Sequence, residues 1–198
     1  DSVLELAGQG TDEVRTSLAA YTLGAEIERL TGTSASGQAL TGNGLANILS
    51  GGGGNDVLDG AAGADQLAGG LGDDLYLIGA GDLVTEAAGA GTDEVRTSVD
   101  DATAPANVEK LTGLNDTAQT LRGNGLDNVI AGGAGADRMV GGLGNDLYHV
   151  GAGDNVIEKT GERESPQAQA EELVEQLRDD PDRFAEVATR ISEDHATA

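Results

Sequence analysis

The 198 residues carry 35 acidic side chains against 11 basic ones, a formal net charge of -24. That excess repels nucleic acid and anionic membrane surfaces and favours cations as partners. Glycine at 32 residues and aromatics at 2 % leave few large side chains for an ordinary core, and the absence of cysteine excludes disulfides and thiolate metal sites.

Residues 1–41 are read as flanking strands of a solenoid. "TDEVRTS" at 11–17 returns at 92–98, an offset of 92 − 11 = 81. Within the wider match of 11–32 to 92–113, Val14 and Val95, Ile27 and Val108, and Leu30 and Leu111 coincide as apolar positions. Plain extra strands are the expected role of both segments.

Residues 42–85 form a first repeat block. Units of nine residues begin at Gly42, Gly51, Gly60 and Gly69. Their sixth positions read Asn47, Asp56, Asp65 and Asp74, and their eighth positions Leu49, Leu58, Leu67 and Tyr76. Each unit is a small-residue turn, one oxygen-bearing side chain and a short strand. Alternation along that strand points the eighth residue inward. Glycine permits positive φ and lets carbonyls crowd one point. A disordered linker would drift out of register, which these units do not.

Residues 86–122 repeat the spacer strands, and residues 123–160 form a second block. Its units begin at Gly123, Gly132 and Gly141, with Asn128, Asp137 and Asp146 at the sixth position. The eighth position holds Ile130, Met139 and Tyr148. "GNGLAN" at 42–47 and "GNGLDN" at 123–128 keep the offset of 81, but "GGLGDDLY" at 69–76 and "GGLGNDLY" at 141–148 differ by 141 − 69 = 72. The second copy has lost nine residues, so the nonapeptide is the architectural unit. Asp1 aligns with Asp82 and Asp154, each of which follows "GAG", which predicts a piece of a longer array.

These units resemble the repeats-in-toxin (RTX) family, whose nonapeptide is G-G-x-G-x-D-x-U-x with U a large apolar residue. "GGGGNDVLD" at 51–59, "GGLGDDLYL" at 69–77, "GGAGADRMV" at 132–140 and "GGLGNDLYH" at 141–149 fit it fully, and "GAAGADQLA" at 60–68 departs at the second glycine. The resemblance implies an all-β fold, a parallel β-roll in which two nonapeptides make one coil. It also implies calcium (Ca2+) between stacked turns, held by carbonyls and sixth-position carboxylates. Hard-oxygen coordination suits that ion.

Carried over by residue, the strongest implied site joins Gly52, Gly54 and Asp56 to Gly69, Leu71 and Asp74. A second joins Asn43, Leu45 and Asn47 to Gly60, Ala62 and Asp65, and is weaker because asparagine replaces an acid. In the second block, Asn124, Leu126 and Asn128 would face Gly141, Leu143 and Asp146. Gly133, Gly135 and Asp137 would face Val150, Ala152 and Asn155, with Asp154 one position early. The turn facing Asp65 has Leu83 where an acid is wanted, beside Asp82. Glycine, leucine, valine and alanine would offer backbone carbonyls.

The resemblance further implies a secreted, extracellular protein of a Gram-negative bacterium, exported by a type I system and folding on calcium. No H-E-x-x-H or phosphate-loop motif occurs, and His149 and His195 are far apart. No catalysis by this chain is expected, nor membrane insertion; neighbouring repeats of a longer chain are the other expected partner. The alternative is the accessory part of a secreted protease, lipase or polysaccharide epimerase whose catalytic domain lies elsewhere.

Residues 161–198 change composition. Ser165–Pro166 and Asp180–Pro181 read as helix starts, and Leu173 with Leu177, and Phe184, Val187, Ala188 and Ile191, as apolar faces. This helical tail is similar to the opening of parvulin-type prolyl isomerases. A solenoid cap, a secretion signal and a truncated domain stay open as its role.

Overall fold

The computed structural model describes residues 3–157; the helical tail expected over 161–198 lies outside them. Seventeen short strands follow one another. They are β1 (Glu13–Thr16), β2 (Ala20–Thr22), β3 (Arg29–Gly32), β4 (Ala39–Thr41), β5 (Ile48–Gly53), β6 (Val57–Asp59), β7 (Gln66–Leu71), β8 (Leu75–Ile78) and β9 (Leu83–Val84). The second half adds β10 (Glu94–Thr97), β11 (Asp101–Thr103), β12 (Lys110–Gly113), β13 (Thr120–Arg122), β14 (Val129–Ala131), β15 (Arg138–Val140), β16 (Leu147–His149) and β17 (Asn155–Val156).

Every pairing is parallel, and it skips one strand. The even strands β2 to β16 form one eight-stranded sheet. The odd strands form a five-stranded sheet from β1 to β9 and a four-stranded sheet from β11 to β17. The chain therefore winds as a parallel β-solenoid, one strand per face per coil. The spacers continue both faces: β3 pairs with β5, and β10 with both β8 and β12. These short strands form because each alternates an inward apolar residue with small or polar neighbours.

Three stacked columns make up most of the core, and Leu23, Ile27 and Val108 from the turns join them. Val14, Leu30, Leu49, Leu67 and Val84 are paired in register along the first odd face. Leu40, Leu58, Tyr76, Val95, Leu111 and Ile130 follow one another on the even face. Leu121 and Met139 stack on the second odd face. All of these side chains are buried. With one residue per coil per face, the core is thin, and the turns at the two edges carry much of the burden of holding coils together.

Candidate metal centre

The turns bring the sixth-position residues into line. Glycines at the second and fourth positions take positive φ, as at Gly52 (99°), Gly54 (96°), Gly70 (106°) and Gly72 (120°). An L side chain rarely adopts such values. The turn then throws the sixth side chain back toward the coil beneath it. The Asp56 amide donates to Asp74 Oδ1 at 2.7 Å, eighteen residues on. The same bond links Gln38 to Asp56 at 2.6 Å, Asp74 to Asp93 at 2.8 Å and Asn128 to Asp146 at 2.9 Å. Asp93 passes the pattern to Glu109 Oε2 at 2.8 Å, and the Asn128 side chain donates to the Glu109 carbonyl. One edge therefore carries a ladder running Gln38, Asp56, Asp74, Asp93, Glu109, Asn128, Asp146. The opposite edge links Asn47 to Asp65 and Asp65 to Asp82, and separately Gln119 to Asp137 and Asp137 to Asp154.

One carboxylate oxygen in each aspartate rung is thus used. In Asp82 and Asp154 the other accepts from the amides of Gly79 and Gly151, but the Oδ2 atoms of Asp56, Asp65, Asp74, Asp93 and Asp137 are buried without a hydrogen-bond partner. Buried polar groups are nearly always satisfied, and an unpaired one costs about 1–3 kcal/mol or more. Burial, first of all, pushes the carboxyls of Asp56 and Asp65 up, and those of Asp74 and Asp93 up to about 6. Neighbouring charges add to the shift at Asp65, Asp74 and Asp93, and every one of them is acidic.

The free oxygens lie where carbonyls also converge. A Cβ on Gly51 would overlap both Asp56 Oδ2 and the Gly69 carbonyl, and one on Gly132 would meet Asp137 Oδ2 and Asp154 Oδ2. From the coil beneath, the carbonyls of Gly52 and Gly54 occupy the space that a Cβ on Gly70 or Gly72 would need. Leu45 faces Gly63 in the same way, and Asn124 and Leu126 face Gly142 and Gly144. Several carbonyls expected to serve as ligands are therefore crowded at stacked turns. Paired carboxylates, orphaned oxygens and carbonyls, with no nitrogen or sulfur donor, form a set suited to a hard divalent cation.

Rungs bearing an amide behave differently. Asn47 Oδ1 accepts from the Asn43 amide at 2.7 Å, and its Nδ2 donates to the Ile27 carbonyl at 3.0 Å. Asn128 repeats this with Asn124 and Val108. Gln38 Nε2 donates to the carbonyls of Thr16 and Leu18, and Gln119 Nε2 to those of Thr97 and Val99. These four side chains satisfy both their own atoms and the carbonyls below without an ion.

The ladder also corrects one expected pairing. Asp154, not Asn155, stands against Asp137, because Asn155 pairs with Arg138 in the sheet. That coil has lost one residue relative to the eighteen-residue coils, and Asp82 stands against Asp65 for the same reason. Leu71, Leu143 and Val150 expose their side chains, as residues acting only through their carbonyls can. The sequence reading missed Gln38, Asp93, Glu109 and Gln119 as rungs. Each lies just before a strand, and matching those strands into coils is the signal that would have found them.

Asp74, Glu86 and Asp93 also converge at one place, each offering a carboxylate oxygen within 4.8 Å of the others. Tyr76, whose hydroxyl accepts from the Gly69 amide at 2.7 Å, donates to Glu86.

Fold and site together define a parallel β-solenoid whose stacked turns present carboxylates to a cation. Residues 41–76 and 115–157 match the family described as the RTX calcium-binding nonapeptide repeat, in four copies, so these segments carry that repeat. Calcium is the ion such repeats bind. Comparison with curated proteins and with solved structures finds no significant match.

Proposed function

We propose that this chain is the calcium-binding module of a secreted bacterial protein, folding when calcium binds outside the cell and performing no catalysis of its own. The buried ladder of aspartates with unpartnered Oδ2 atoms carries this reading. Without a cation those oxygens are desolvated, mutually repulsive and unpaired, and the thin core offers little to offset them. Calcium binding free energy then becomes folding free energy. Extracellular modules bind calcium at roughly 10⁻⁴–10⁻³ M, far above cytosolic levels, so such a chain stays unfolded until exported. That such repeats are typical of secreted proteins of Gram-negative bacteria supports export, with a type I system as its route.

The strongest site is assigned to Asp56 and Asp74 with the carbonyls of Gly52, Gly54, Gly69 and Leu71. The turn of Asn43, Leu45 and Asn47 against Gly60, Ala62 and Asp65 binds more weakly, because Asn47 brings a neutral amide in place of a carboxylate and its Oδ1 already accepts from the Asn43 amide. Sites pairing Asn128 with Asp146 and Asp137 with Asp154 complete the set.

Circular dichroism tests the reading. Calcium added to the chelated chain should produce a large gain of β signal, and an unchanged spectrum would sink it. In calcium titrations the double change Asp56→Ala with Asp74→Ala should weaken binding more than Asp65→Ala; equal losses refute the ranking.

A further inference from the structure

We propose that Asp74, Glu86 and Asp93 form a calcium site of a second kind, built where the first nonapeptide block meets the loop that follows it. It rests on the calcium reading above only through Asp74. Two of its three carboxylates come from outside the nonapeptides: Glu86 follows β9, and Asp93 precedes β10. All three residues are buried, Asp93 completely. The ladder consumes Oδ1 of both aspartates, since the amides of Asp56 and Asp74 donate to them. The two Oδ2 atoms remain buried and without partners.

Glu86 is the residue that distinguishes this place from a nonapeptide turn. Its Oε1 accepts from the Ala87 amide at 2.9 Å, and its Oε2 accepts from the Tyr76 hydroxyl. Its backbone carbonyl is held by Asn107 Nδ2 at 2.9 Å, so loop and next coil fix it from both sides. The charged groups acting on the two aspartates here are Asp56, Asp73, Glu86 and Glu109, and no basic side chain is among them. Three carboxylates in a dry space need a counter-charge. An all-oxygen set in which each carboxylate keeps lone pairs to spare fits calcium better than a transition metal. Glu5 and Asp12 stand 81 residues before Glu86 and Asp93, and the Asp12 amide donates to Glu28 as the Asp93 amide does to Glu109. The acidic pair therefore recurs with the spacer rather than with the nonapeptides.

The test uses wild-type crystals grown in calcium, with anomalous difference maps at long wavelength. A calcium peak about 2.3–2.6 Å from oxygens of Asp74, Glu86 and Asp93 is the expected result. Peaks at the nonapeptide turns alone overturn this site and leave the module reading standing; no peaks anywhere overturn both. In solution, calorimetry of Glu86→Gln should count one calcium fewer per chain, with an unchanged circular dichroism spectrum at saturating calcium. Asp56→Asn should lose a nonapeptide ion and keep the anomalous peak beside Glu86. Full stoichiometry in Glu86→Gln contradicts the proposal.

Discussion

At the scale of single residues, the ladder aspartates set how the chain answers to pH. Burial, then nearby acids, raise Asp74 and Asp93 to about 6, above the ordinary carboxylate value they would have when unfolded. A raised acid opposes folding while it is ionised. That opposition is complete above about pH 6 and is relieved as pH falls from there toward the unfolded value. In calcium-free buffer, acidification from pH 7 to pH 5 should therefore increase β signal, with protons partly replacing the cation. With calcium present the sign reverses, since protons compete for the ligands and the calcium midpoint should rise. A calcium-free spectrum that does not change between these pH values would show that neutralising the ladder is not what limits folding. Ala61 is a different residue-scale feature. It stands where its nonapeptide lacks the second glycine and holds φ at 67°, so the departure from the repeat is met by strain rather than by a new turn.

At the scale of strands, each contributes one inward apolar side chain to a column, to which the turns add Leu23, Ile27 and Val108. Leu58 lies between Leu40 and Tyr76 and is wholly buried. Leu58→Ala should cost about 2–5 kcal/mol, because the columns on either side cannot close the gap without breaking register. Ile48 begins β5 on the outward phase and is 37 % exposed, so Ile48→Ala should cost well under half as much. Thermal melts in saturating calcium separate the two. Equal losses would mean that the columns are not the core. Between strands, the amide rungs and the acidic rungs divide the work. Gln38, Asn47, Gln119 and Asn128 each bind carbonyls of the preceding coil through a side-chain amide, so on that side they need no ion.

At the scale of the whole solenoid, the repeat is a half-coil, and this has a geometric consequence. An offset of 81 residues is nine nonapeptide lengths, an odd number, so the two copies of "TDEVRTS" fall on opposite faces, in β1 and in β10. An offset of 72 is an even number of such lengths, so the two "GGLG" units lead into β8 and β16 of one sheet. Any integral number of coils should then be removable. Deleting residues 51–68, two nonapeptides, should leave a chain that still folds on calcium with fewer ions bound. Deleting residues 60–64 breaks the phase of both core and ladder and should abolish the calcium-induced β signal. Circular dichroism with calcium titration distinguishes these outcomes, and equal behaviour of the two deletions would contradict an additive solenoid.

The nonapeptide phase, the inward eighth residue and the acidic sixth residue were legible in the sequence because each is a local property of a nine-residue unit. Leu49, Leu58 and Leu67 needed no tertiary information to be placed inward, and Asp56 and Asp74 none to be placed one coil apart. Only the folded chain decided which residues outside the motif join the ladder. Asp93, Glu109 and Gln119 enter it because their coils bring them beneath or above a neighbouring rung, and Asp154 displaces Asn155 because one coil is a residue short. Coil length is summed over a full turn and set by how sheets pair, so no short motif encodes it. The meeting of Glu86 and Asp93 with Asp74 is of the same kind: only Asp74 stood out in the sequence, and the other two join it because the chain closes a coil between them.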